Sequence, residues 1–122
     1  MIKDVMSVCI YVDDFSKAFD FYAHVLGLEK SQDAGENACF FRLNDNPMAI
    51  YLEGGHEKKT QDPKATGLAF MMVVEDAKGA YQSLKEEAVH FVHDAPQDMG
   101  EGNYWFRFYD PAGNILEIVS AA

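Results

Sequence analysis

Tyr11-Val12-Asp13-Asp14-Phe15-Ser16-Lys17-Ala18-Phe19 is echoed by Val73-Val74-Glu75-Asp76-Ala77-Lys78-Gly79-Ala80-Tyr81. Val12 answers to Val74, Asp14 to Asp76, Ala18 to Ala80 and Phe19 to Tyr81, each 62 positions on. Each copy reads as the end of a strand, an acidic helix start and an amphipathic helix. A fixed-period echo defines the building unit of a fold. Two copies of one unit are expected to face each other and leave a groove between them.

Reading outward from the echo completes each unit. Residues 5–12, VMSVCIYV, alternate as a strand, with Ser7, Cys9 and Tyr11 on one face and Val8, Ile10 and Val12 on the other. Asp13 or Asp14 can cap the next helix, whose stripe is Ala18, Phe21, Tyr22, Val25 and Leu26, with Gly27 as its C-terminal stop. A strand begins at residues 28–30, and SQDAGEN then reads as a loop. Residues 38–43 and 48–53 form two strands around Asn44-Asp45-Asn46-Pro47, which is turn chemistry. Residues 54–66 are a polar linker in which His56 is expected to be mobile. The second unit has a strand at 67–74 and a helix at about 77–88 with Ala80, Leu84 and Ala88 inward. A strand at 89–93 and the loop APQDMGEGN follow. The last element is a hairpin of residues 104–109 and 114–120.

The predicted fold class is α+β. Two paired βαβββ modules form curved antiparallel sheets around a central groove, with the helices outside. The chain is one domain over 1–122, with module one at about 5–53 and module two at about 67–120.

Composition narrows the function. The chain has 122 residues and is 48% hydrophobic, enough for a core without staples. Its formal net charge of -10 argues against nucleic acid and against anionic membrane surfaces as partners. No apolar run approaches a bilayer span of ~20 residues. Lys3 and Asp4 interrupt any leader-like start, and only Cys9 and Cys39 are present, so a cytoplasmic setting with reduced thiols is expected.

Three stretches resemble the vicinal oxygen chelate superfamily, the group of glyoxalases, bleomycin resistance proteins and ring-cleaving dioxygenases. They are Val12-Asp13-Asp14-Phe15 with Phe21-Tyr22-Ala23-His24-Val25-Leu26-Gly27-Leu28, then Val74-Glu75-Asp76 with its helix, then Phe108-Tyr109-Asp110-Pro111-Ala112-Gly113-Asn114-Ile115-Leu116-Glu117-Ile118. The resemblance implies paired modules and a homodimer. It also implies, in metal-dependent members, one ligand from each of four strands. Those positions fall at Ser7, Ala69, Tyr51 and Glu117, or at Glu53 if the third alignment shifts by two. Only Glu117 keeps a family ligand type. Ala69 has no donor, and a neutral Ser or Tyr hydroxyl is a poor ligand for a divalent ion. The expectation is therefore no metal and no other cofactor, with a divalent metal at displaced ligands as the alternative. His24, His56, His90 and His93 form no ligand cluster in this reading, His90 and His93 falling on opposite faces of a strand.

Alternation gives the groove a different lining: Ser7, Cys9, Tyr11, Phe40, Arg42, Tyr51, Ala69, Met71 and Trp105. Hairpin pairing sets Arg107 opposite Glu117, Tyr109 opposite Ile115 and Trp105 opposite Val119. The pair Arg107–Glu117 reads first as a cross-strand ion pair in the metal's place, and second as a catalytic Glu117 with its charge held by Arg107. Aromatic walls beside acidic charge suit a flat ring or a cation. Three functions follow: a metal-independent protein binding a small aromatic or cationic molecule, a metal-dependent lyase, isomerase or dioxygenase, and a structural or regulatory dimer without a ligand.

Overall fold

The computed structural model of the protein describes residues 1–120. The chain divides into two compact units, Met1–Lys58 and Lys59 onward. The first unit contains β1 (Val8–Tyr11), α1 (Phe15–Asp20) continued by a π-helical turn (Phe21–Val25), β2 (Glu29–Asp33), β3 (Ala38–Leu43) and β4 (Asn46–Glu53). The second contains β5 (Met71–Val74), α2 (Ala77–Glu86), β6 (Gln97–Gly100), β7 (Asn103–Tyr109) and β8 (Ile115–Ser120). The sheets run β1-β4-β3-β2 and β5-β8-β7-β6. The α+β class and the repeated βαβββ order stand as the sequence implied.

The echo survives in atomic detail. Asp14 Oδ1 accepts the amide of Lys17 at 3.1 Å, and Asp76 Oδ1 accepts that of Gly79 at 3.1 Å. Each carboxylate therefore satisfies an amide that the first turn of its helix leaves orphaned. Cys9 lies beside Tyr51 as Met71 lies beside Glu117. Both of those pairings are parallel, so each sheet is mixed and not antiparallel throughout. The reason is topological: β1 and β5 each feed a helix before the chain returns to pair with them, and a crossover of that kind allows a parallel pair.

Each sheet buries one face under its helix. In the first unit Ile10, Val12, Cys39, Phe41, Ile50 and Leu52 are buried, and Phe19 and Tyr22 pack on Phe41 with ring centroids 5.8 and 6.2 Å away. Gly54 passes so close to α1 that a Cβ there would meet Phe15 Cβ at 2.6 Å and Phe15 N at 3.0 Å. In the second unit Ala77, Tyr81, Leu84, Phe106 and Phe108 are buried, and Tyr81 meets Phe106 edge to face with ring centroids 5.3 Å apart. The turn before β8 is fixed by buried Asp110, whose Oδ1 accepts the amides of Ala112 and Asn114, both at 2.9 Å. Gly113 completes that turn at φ 91, against the backbone of Thr60.

Several boundaries differ from the sequence reading. The first strand starts at Val8, leaving 5–7 irregular, and β5 likewise starts only at Met71. The widened π turn breaks the 3.6-residue stripe, so Val25 and Leu26 are half-buried where Phe21 and Tyr22 are buried. The inner stripe of α2 is Ala77, Tyr81 and Leu84, while Ala88 lies beyond the helix at φ 57. SQD of the expected loop belongs to β2, and QDMG of the other belongs to β6. Residues 89–93 make no strand, only a bridge of Phe91 to Phe108. Both misread strands are edges, paired through backbone and not through an apolar pattern. The linker is also tied down: Gly55 N–H donates to Asp13 O and His56 N–H to Val12 O, both at 3.0 Å.

Candidate functional site

The face of each sheet turned away from its helix carries the polar and aromatic side chains. In the first unit this face presents Cys9 and Tyr11 from β1, Phe40 from β3, and Tyr51 and Glu53 from β4. Phe40 is opposite Tyr51, as alternation implies, and their rings lie 5.0 Å apart. Arg42 is exposed and opposite Glu29. Ser7 lies just before β1, where its hydroxyl donates to Met48 O at 2.5 Å. Tyr11 is half exposed and meets Tyr51 edge to face at 6.5 Å.

A linked set of polar groups crosses this face. Tyr51 donates its phenol to Glu53 Oε1 at 2.5 Å, and Glu53 Oε2 lies 2.6 Å from His56 Nε2. The His56 ring packs edge to face on Tyr11 at 4.8 Å. The hydrogen bonds from Tyr51 and His56 hold the Glu53 carboxyl below the usual range. The same bond to Glu53, with burial and the Glu53 charge, pushes Tyr51 up to about 12. His56 is absent from the expected lining because residues 54–66 have the composition of a polar linker. The usable signal was its place three residues after Glu53, across a Gly-Gly bend at the end of a strand.

In the second unit the hairpin register is as the sequence predicts: Arg107 opposite Glu117, Trp105 opposite Val119 and Tyr109 opposite Ile115. Arg107 Nε donates to Glu117 Oε1 at 2.7 Å, with the two side chains 22% and 13% exposed. Arg107 Nη1 donates to Pro63 O at 3.2 Å. Met71, next to Glu117, is about half exposed, and Ala69 lies in the irregular run before β5. His90 packs on Tyr109 at 5.2 Å and His93 on Trp105 at 5.0 Å. Tyr109 and Trp105 share one face of β7, so the two histidines are not on opposite faces as a regular strand would require. The structure thus divides the predicted lining, with Ser7, Cys9, Tyr11, Phe40, Arg42 and Tyr51 in one unit and Ala69, Met71, Trp105, Arg107 and Glu117 in the other.

The four positions that the resemblance gives to metal ligands differ in what they can donate to an ion. Cys9 pairs with Tyr51 as Met71 pairs with Glu117, so Tyr51 holds in the first unit the place of Glu117 in the second, while the alternative Glu53 is bonded to Tyr51 and His56. Tyr51 is protonated and donating, the Ser7 hydroxyl is donating, Ala69 has no donor atom, and Glu117 faces a guanidinium. No three His, Cys, Asp or Glu side chains among the described residues come together to hold a metal ion. This donor set does not fit a divalent centre, which needs several anionic or imidazole ligands. Among the described residues no helix is long and apolar enough to cross a membrane.

Two helix-backed mixed sheets built from a repeated βαβββ order define a glyoxalase-type fold. The chain belongs to the Glyoxalase/Bleomycin resistance protein/Dioxygenase superfamily, whose profile matches residues 5–118. It is 27% identical over 122 residues to the uncharacterized protein YetH of Bacillus subtilis, covering 95% of this chain and 97% of that one. It is 25% identical over 118 residues to the metallothiol transferase FosB of Staphylococcus epidermidis, covering 97% and 84%. A solved superfamily member from Sphaerobacter thermophilus superposes with a TM-score of 0.67 at 29% identity, covering 98% of each chain.

Proposed function

We propose that this chain binds a small aromatic or cationic molecule on the open faces of its sheets and works without the divalent metal centre. One observation carries the reading. Of Ser7, Tyr51, Ala69 and Glu117, only Glu117 is a carboxylate, and Arg107 neutralises it at 2.7 Å. The remaining side chains on these faces are largely aromatic or sulfur-bearing, which suits a ligand held by ring contacts and a few polar groups. The reading takes the chain as a homodimer, for which light scattering would give a mass twice that of the chain.

A thermal-shift screen of flat aromatic and flat cationic compounds tests the binding. The expected result is a raised midpoint with at least one of the two classes, in protein stripped of metal. No stabilisation by either class would overturn it and favour a structural or regulatory dimer. The metal-dependent reading, as a lyase, isomerase or dioxygenase, rests on retained Glu117 and on likeness to a relative named a metallothiol transferase. It requires Arg107 to release Glu117.

A further inference from the structure

The segment after β4 places a nitrogen heterocycle in a corner built by two neighbouring strands. Tyr11 on β1 is opposite Glu53 on β4, and Tyr51 stands two residues before Glu53 on the same face. Tyr51 fixes one oxygen of the carboxylate, and Phe40 backs Tyr51 at 5.0 Å. The group in the corner is His56, with Nε2 2.6 Å from Glu53 Oε2 and its ring edge to face with Tyr11.

His56 comes from a run with no helix or strand, and its side chain is 41% exposed. A ring N–H on a carboxylate, beside aromatic rings, is the contact set that holds amidinium and imidazolium groups. Glu53 also has acceptor capacity beyond the two bonds it makes, because a carboxylate offers about four lone-pair sites. The protein's own side chain thus shows what fits the corner. A ligand with the same donors would gain the Glu53 contact by swinging out a short, solvent-exposed side chain.

We propose that Tyr11, Tyr51 and Glu53 form a binding subsite for a flat N–H-bearing cation of the amidinium or imidazolium class. His56 is its built-in occupant, displaced when the ligand enters. This rests on the reading above that the open faces bind a small molecule, and it names the chemical class and the subsite.

Benzamidine, a flat amidinium, is the probe. It is titrated into the wild-type chain, His56→Ala, His56→Gln and Glu53→Gln, with the ring signals of Tyr11 and Tyr51 and the indole signal of Trp105 followed by NMR. The expected result is shifts at Tyr11 and Tyr51. Removing the occupant in His56→Ala should tighten binding by roughly two- to fivefold, the low end of what one net hydrogen bond is worth. His56→Gln should tighten it less, and it keeps the test open if the alanine variant folds poorly. Glu53→Gln should weaken binding by about tenfold or more, as loss of a charged hydrogen bond does. Weaker binding in both His56 variants would overturn the displacement. Shifts confined to Trp105 would overturn the subsite and leave the broader function standing. No shift in any variant would also overturn the subsite, whereas the broader function falls only with the wider screen.

Discussion

Replacing Arg107 by Leu is the perturbation whose size follows most directly from the geometry. The guanidinium donates to Glu117 at 2.7 Å, and the two side chains are 22% and 13% exposed. Removing one partner of a fully buried pair costs about 3–5 kcal/mol, because the other charge is left without compensation. Water reaches part of this pair and part of Glu117 would rehydrate, so about 2–3 kcal/mol is expected. In a domain of this size that lowers the melting midpoint by roughly 6–15 °C. Urea denaturation of Arg107→Leu, Glu117→Leu and the double variant supplies the cycle. The double variant should recover at least half of the loss, since two apolar side chains on that face leave no stranded charge. An Arg107→Leu cost below about 0.5 kcal/mol, the range of an exposed pair, would refute the claim that Arg107 occupies Glu117.

Three further outcomes are expected. Gly54→Ala should destabilise the first unit by about 1–3 kcal/mol in denaturant titration, because a Cβ would meet Phe15 Cβ at 2.6 Å. Cys9 is exposed while burial pushes the Cys39 thiol up to about 11, so one thiol should react rapidly with an aromatic disulfide reagent and the other only on unfolding. Tyr51, held protonated by its bond to Glu53, should ionise at about 12 in a phenolate absorbance titration, and Tyr51→Phe should remove that late step. The linkage has two signs. Glu53, with its carboxyl held low, favours the fold above the ordinary carboxylate range, and that contribution fades as acid protonates it. Tyr51, held high, favours the fold below the ordinary phenol value of 10.0 and loses that contribution as pH climbs toward about 12.

The parts of the fold that bury side chains were legible in the sequence. The acidic helix starts, the buried set Ile10 and Val12, and the register of Arg107 with Glu117 all follow from spacing and alternation, which left Asp13 and Asp14 as equal candidates for the first cap. The parts held by backbone alone were not. All four residues of β6, Gln97–Gly100, are exposed and leave no apolar signature. Residues 89–93 carry the apolar pattern of a strand, yet make one bridge, Phe91 to Phe108, with the Phe91 ring on Tyr81 at 4.1 Å. Strand order was also out of reach: alternation sorts faces, but it does not say that β1 joins β4 in parallel. The candidate site was legible where it sits on strands and missed at His56, whose position depends on how the chain bends after β4.

The proposed function stands on Glu117 being engaged by Arg107 and not by a metal ion. Calorimetric titration of the untagged, chelator-treated protein with Zn, Mn, Ni and Fe(II), repeated on Glu117→Ala, tests it most directly. No stoichiometric binding of any of these ions that depends on Glu117 is expected. Tight binding of one ion per chain, abolished in Glu117→Ala, would contradict it and restore the metal-dependent reading.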